Sequence, residues 1–144
     1  MKRIIIVCVL AIALSAGCFV FAQDKCTVSG DLAYSKEANI YVCLHTQQTY
    51  PEWKKTLAPG SFTQTVKASP SGKATFVFRD VPKGEYLIVA FADENGNGKL
   101  DVDTFGHALE SWWVYKQTPP GGSGINWYDQ EFEVEKDVTG VTLK

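Results

Sequence analysis

Residues 84–103 read GEYLIVAFADENGNGKLDVD. The first half, Tyr86 to Ala92, is an almost unbroken apolar run rich in β-branched and aromatic side chains, which predicts a strand covered on both faces. Such a strand is central to its sheet. Directly after it, Asp93, Asn95, Asn97, Gly98, Asp101 and Asp103 concentrate oxygen ligands and turn formers as nowhere else in the chain.

Working outward, Val81, Pro82, Lys83 and Gly84 fit a type I turn with Pro second and Gly fourth, so Lys73–Asp80 and Glu85–Asp93 are predicted to form a hairpin. Upstream, Cys26–Leu32 and Asn39–Thr46 read as strands, the second with Ile40, Val42 and Leu44 alternating against Tyr41, Cys43 and His45. Residues 47–61 have no sustained period and read as a long connection with one helical turn around Glu52–Leu57. Phe62–Ala68 alternates weakly. Downstream, His107–Lys116 is apolar enough for a strand and Thr118–Gly124 (TPPGGSG) reads as a loop. Phe132 and Val134 alternate with Glu131, Glu133 and Glu135, and Val138, Val141 and Leu143 make a short last strand at an edge. Seven to eight short strands with little helix predict an all-β, antiparallel β-sandwich.

At 144 residues the chain is one domain plus a targeting segment. Lys2 and Arg3 precede nineteen uncharged residues, Ile4 to Ala22, the pattern of a secretory signal over residues 1–22 ahead of a single domain at 23–144. Val20 and Ala22 suit signal peptidase. Lipoprotein processing at Cys18 in LSAGC is an alternative, with Ser15 where a lipobox has Leu, and an uncleaved anchor is a third. The predicted location is secreted or periplasmic, with no membrane span in the mature chain. Without residues 1–22 the chain keeps 12 basic and 16 acidic side chains, net −4, and no basic face for nucleic acid. The partner is open, an envelope or extracellular protein or glycan being compatible. Cys26 and Cys43 would remain, and two cysteines in an oxidising compartment predict a disulfide. If the first two mature strands formed a hairpin, the turn would fall at Tyr34 and Ser35 and a bulge near Gly30 would bring both thiols to one face. Closing that loop would contribute about 3 kcal/mol.

Calcium loops place oxygen ligands at alternate positions, because successive side chains must converge on one ion. With Asp93 as position one, Asn95, Asn97, the Lys99 carbonyl and Asp101 fall at three, five, seven and nine, and Gly98 at six allows the sharp turn. Thr104 stands at twelve where an EF-hand has a bidentate Glu, and a strand precedes the loop, so this is not an EF-hand. Asp103 is the candidate to close the site, with affinity of about 10⁻⁴ to 10⁻³ M. A plain turn stays open beside this reading, because Asn-Gly twice in succession is ordinary chain-reversing chemistry.

Trp112, Trp113, Tyr115, Trp127 and Tyr128 crowd into seventeen residues, and an exposed aromatic platform among them would suit a sugar or peptide. Alternation puts Trp112 and Trp113 on opposite faces. His45 and His107 have no Cys or His at ligand spacing and read as ordinary residues. No nucleophile elbow, phosphate-cradling loop or zinc helix is present in the sequence, which predicts a non-enzymatic protein.

Phe78, Pro82, Gly84 and Tyr86, then Asp93, Glu94, Asn95, Asn97, Gly98, Leu100 and Asp101, together resemble a bacterial secreted family, domain of unknown function 2141. That family carries a Phe-containing strand, a Pro-x-Gly-x-Tyr turn and Asp-Glu-Asn-x-Asn-Gly-x-Leu-Asp. Gly106 and Glu110 match its continuation, while Ala108 stands where Pro is usual. The resemblance implies an exported immunoglobulin-like or prealbumin-like β-sandwich with no assigned activity.

Overall fold

The computed structural model describes residues 24–60, 62–116 and 124–144. The predicted signal at 1–22, its alternative processing at Cys18, and most of the 118–124 loop lie outside the described residues. Within them no helix is long and apolar enough to cross a membrane.

The strands are β1 (Lys25–Ala33), β2 (Asn39–His45), β3 (Thr63–Val66), β4 (Lys73–Pro82), β5 (Gly84–Asp93), β6 (Trp112–Val114), β7 (Phe132–Val134) and β8 (Val138–Thr142). Two short helices, α1 (Tyr50–Thr56) and α2 (Trp127–Gln130), accompany them. A three-stranded sheet in the order β4-β1-β8 packs against a five-stranded one in the order β3-β2-β5-β6, with β7 also on β5. This is the expected β-sandwich. Among the described strands one pairing is parallel, β8 against β1, and the others are antiparallel.

Every residue of β5 from Tyr86 to Asp93 is buried, and the two faces are covered by different things. Tyr86, Ile88, Ala90 and Ala92 face the inter-sheet core with Ile40, Val42, Phe76 and Phe78. Leu87, Val89 and Phe91 face outward into a second cluster, capped by Tyr50 and Trp53 of α1, Trp127 of α2 and Leu100. A strand with two buried faces gains nothing from polar alternation, and that is why the run is unbroken. Pro51 in the first turn of α1 suits a helix start, and Leu57 ends it in the left-handed region, donating its N–H to Trp53 O at 2.7 Å.

Three expectations are corrected. β4 and β5 do not pair: β4 lies in one sheet and β5 in the other, so residues 81–84 cross between layers, with Tyr86 OH donating to Pro82 O at 2.9 Å. β1 and β2 likewise lie in different sheets, which removes the hairpin on which the Cys26–Cys43 disulfide depended. Both thiols are free and buried, Cys26 in the inter-sheet core and Cys43 on the far side of its own sheet in the outer cluster. Finally, of the predicted strand His107–Lys116 only Trp112–Val114 is strand.

Alternation on β4 is interrupted once. Cys26 pairs with Val81 but Val28 with Phe78, so an extra residue bulges at Arg79–Asp80, and Asp80 adopts φ 58. The bulge turns both Phe78 and Val81 inward despite their odd spacing. Register also slips between Val28 and Gly30 against β8, and there a Cβ on Gly30 would meet Val141 O at 1.9 Å. The last residues close a seam between the layers: Leu143 N donates to Asp31 O on β1 at 3.0 Å, while Lys144 exchanges N–H···O bonds of 3.2 Å with Val114 on β6.

Candidate functional site

β5 delivers Asp93 to the end of the sandwich as a buried carboxylate, and the next residues wrap around it. Its Oδ1 accepts from Gly96 N at 2.8 Å and Asn97 N at 3.0 Å, and its Oδ2 accepts from Gly98 N at 2.9 Å. Positive φ at Gly96 (77°) and Gly98 (79°) aims those N–H groups inward, a conformation that L side chains rarely adopt. Two smaller turns repeat the pattern, Asn95 Oδ1 accepting from Asn97 N and Asn97 Oδ1 from Lys99 N, both at 3.0 Å.

The loop thereby folds Asp101 back onto the two asparagines. Asn97 Nδ2 donates to Asp101 Oδ2 at 2.8 Å, and Asn95 Nδ2 donates to the same oxygen. The Asn95 amide first, and the Asn97 amide after it, hold the Asp101 carboxyl below its ordinary range. Lys99, expected to contribute a carbonyl, brings its ammonium to 3.9 Å from Asp101 Oδ1. Asp103 turns away from this cluster. Its Oδ1 accepts from Phe105 N at 2.8 Å and His107 N at 2.9 Å, and its Oδ2 lies 3.0 Å from His107 Nδ1, closing a separate turn. The backbone N–H of His107 is the main cause holding the Asp103 carboxyl low. Among the described residues no three of the Asp, Glu, His and Cys side chains gather as a metal cluster. A cation here would rely on Asp93 and Asp101 with amide oxygens.

Glu110 is the residue that the ligand spacing missed. It is buried, and its Oε1 accepts from Glu94 N at 2.8 Å while its Oε2 accepts from Asp101 N at 3.1 Å, stapling the two ends of the loop together. The available signal was an acidic residue within a stretch otherwise read as apolar strand. Beside the loop, Glu94 Oε1 accepts from Tyr34 OH at 3.0 Å and from Lys36 Nζ at 3.1 Å, and burial, then Glu94, pushes the Tyr34 hydroxyl up to about 12. An open cleft of about 470 Å³ adjoins this group, with Lys36, Asn39, Lys67 and Asn95 in its walls.

The five clustered aromatics do not share one face. Trp112 and Tyr128 are exposed, Trp113 and Tyr115 pack on the inter-sheet core, and Trp127 is buried in the outer cluster. In that outer cluster His45 lies against Trp53 (5.4 Å between rings), and burial lowers its pKa to about 4. His45 Nε2, Trp53 Nε1 and Trp127 Nε1 are the buried side-chain polar atoms without a partner among the described residues.

Residues 31–140 match the family described as an uncharacterized protein conserved in bacteria (DUF2141), and the chain belongs to that family. Neither a curated protein nor a solved structure shows a significant match to the chain.

Proposed function

We propose that this DUF2141 member is an exported, non-catalytic β-sandwich of the bacterial envelope whose loop 93–103 is stiffened by weakly held calcium. One observation carries the reading: Asn95 and Asn97 both close on a single oxygen of Asp101, on a backbone organised around the Asp93 carboxylate. Calcium would take over the neutralising role that the two amides play toward Asp101. To offer its oxygen to the ion in place of its nitrogen, either amide would have to turn over and give up the bond its Oδ1 accepts from Asn97 N or Lys99 N. Only two carboxylates contribute and the Lys99 ammonium competes, so the affinity belongs to the weak range of extracellular sites, about 10⁻⁴ to 10⁻³ M. Export is supported by the apolar run Ile4–Ala22 behind Lys2 and Arg3.

Thermal unfolding with and without calcium tests this. At about 10 mM calcium, roughly tenfold above the weaker limit, a site stabilises by about 1.4 kcal/mol, and Asp101→Asn removes the gain. An unchanged melting temperature in the unsubstituted protein refutes the calcium reading. The aromatic-surface alternative for a glycan or peptide retains two exposed rings, Trp112 and Tyr128, and is the weaker for it.

A further inference from the structure

Asn95–Gly96 and Asn97–Gly98 are two Asn-Gly dipeptides in one largely exposed loop. Asn-Gly is the dipeptide most open to spontaneous deamidation, because glycine has no side chain to hinder its nitrogen from approaching the preceding amide carbon. In that step the Gly nitrogen loses its proton to solvent base and bonds to Asn Cγ. The Cγ–Nδ2 bond breaks, and the nitrogen takes up a proton and leaves as ammonia. Water then opens the succinimide at either carbonyl, giving Asp or isoaspartate; one water enters and one ammonia departs.

In this loop both attacking nitrogens are already engaged. Gly96 N donates to Asp93 Oδ1 at 2.8 Å and Gly98 N to Asp93 Oδ2 at 2.9 Å, so each N–H is aimed at the buried carboxylate. The amides under attack are tethered too, both through Nδ2 to Asp101 and through Oδ1 to backbone N–H groups. We infer that Asn95 and Asn97 are latent deamidation sites and that Asp93 is the positioning residue that holds both closed, one carboxylate oxygen to each. Conversion of either would replace an amide donor to Asp101 with a carboxylate facing it. The inference does not rest on bound calcium, and its test is run in chelator so that the two readings fail separately.

The full chain and a synthetic peptide of residues 91–101 are incubated at mildly alkaline pH, and both sites are followed by peptide mapping. A charge-assisted hydrogen bond that must break before attack slows it on the order of tenfold, so both sites in the folded chain react about that much more slowly than in the peptide. Asp93→Ala accelerates both. In Asp93→Asn the single carbonyl oxygen keeps the two N–H groups of Gly96 and Asn97 and turns an NH₂ toward Gly98, so Asn97 speeds up about tenfold while Asn95 stays slow. Unfolding would release both sites alike, which makes this split the diagnostic result. Equal rates in folded chain and peptide overturn the inference, as does any Asp93→Asn pattern other than acceleration at Asn97 alone.

Discussion

Acidification should destabilise this fold through one side chain, His45, before its carboxylates are fully protonated. His45 is 1% exposed, paired with Leu87 across β2 and β5, its ring tilted against Trp53 of α1 and so near Gly60 that a Cβ there would come 3.3 Å from it, and its Nε2 has no hydrogen-bond partner among the described residues. Burial alone lowers its pKa from 6.5 to about 4. The unfolded chain therefore takes up a proton near pH 6.5 that the folded chain refuses until about pH 4, so stability falls as pH drops through that window and levels off below it. The displacement corresponds to roughly 3 kcal/mol, a large part of the margin of a small domain. Urea unfolding followed by tryptophan fluorescence from pH 7 to 4 measures it, with His45→Phe as the reference, because that ring fills similar space and cannot charge. Carboxylates held low by their partners, such as Asp101 and Asp103, also lose stability on acidification, and they do so equally in both proteins. The unsubstituted protein should lose about 3 kcal/mol more than His45→Phe. Parallel pH profiles would refute the argument, as would a His45 resonance titrating above pH 6.

Three further outcomes are expected. Gly30→Ala would set a methyl 1.9 Å from Val141 O, so β8 must shift off β1, and hydrogen exchange should show faster opening of residues 138–142 with a lower denaturation midpoint. Trp53→Ala empties the centre of the outer cluster and should cost about 3–5 kcal/mol by chemical denaturation, since sheet, α1 and Tyr50 all close on that ring. Alkylation in denaturant without reductant should label both Cys26 and Cys43, whereas under native conditions both resist because they are buried; a 2 Da mass gain on reduction would contradict the free thiols.

The central strand was legible in the sequence because Tyr86–Ala92 must satisfy two apolar layers at once, and β2 and β7 because their inward apolar residues fall at every second position. Alternation fixes which face a residue takes and says nothing about which strand lies beside it. The two pairing errors, β1 with β2 and β4 with β5, follow from that, and the disulfide followed from the first. The helix α1 shows only Tyr50 and Trp53 as buried positions, and α2 spans one turn, so neither carries enough residues to establish a period. In the loop, the turn around Asp93 was readable from the repeated Asn-Gly, whose glycines take the positive φ that wraps the chain. The divergence of Asp103 toward His107 and the arrival of Glu110 depend on how the chain returns after residue 103, where the Val102–Ala108 bridge makes a second turn that spacing does not encode.

The parallel pairing of β1 with β8 also sets the order in which the molecule can assemble. Val28 meets Val138, a separation of about 110 residues, whereas β2 and β5 meet across roughly half that length. Ring closure over the longer span carries the larger entropic toll, so β8 should be among the last strands to dock and a slow step in reaching the native state. Until it arrives, one margin of β1 stands bare, an open template for the same segment of a second molecule, and exchange of β8 between chains is the characteristic misassembly this topology invites at high concentration.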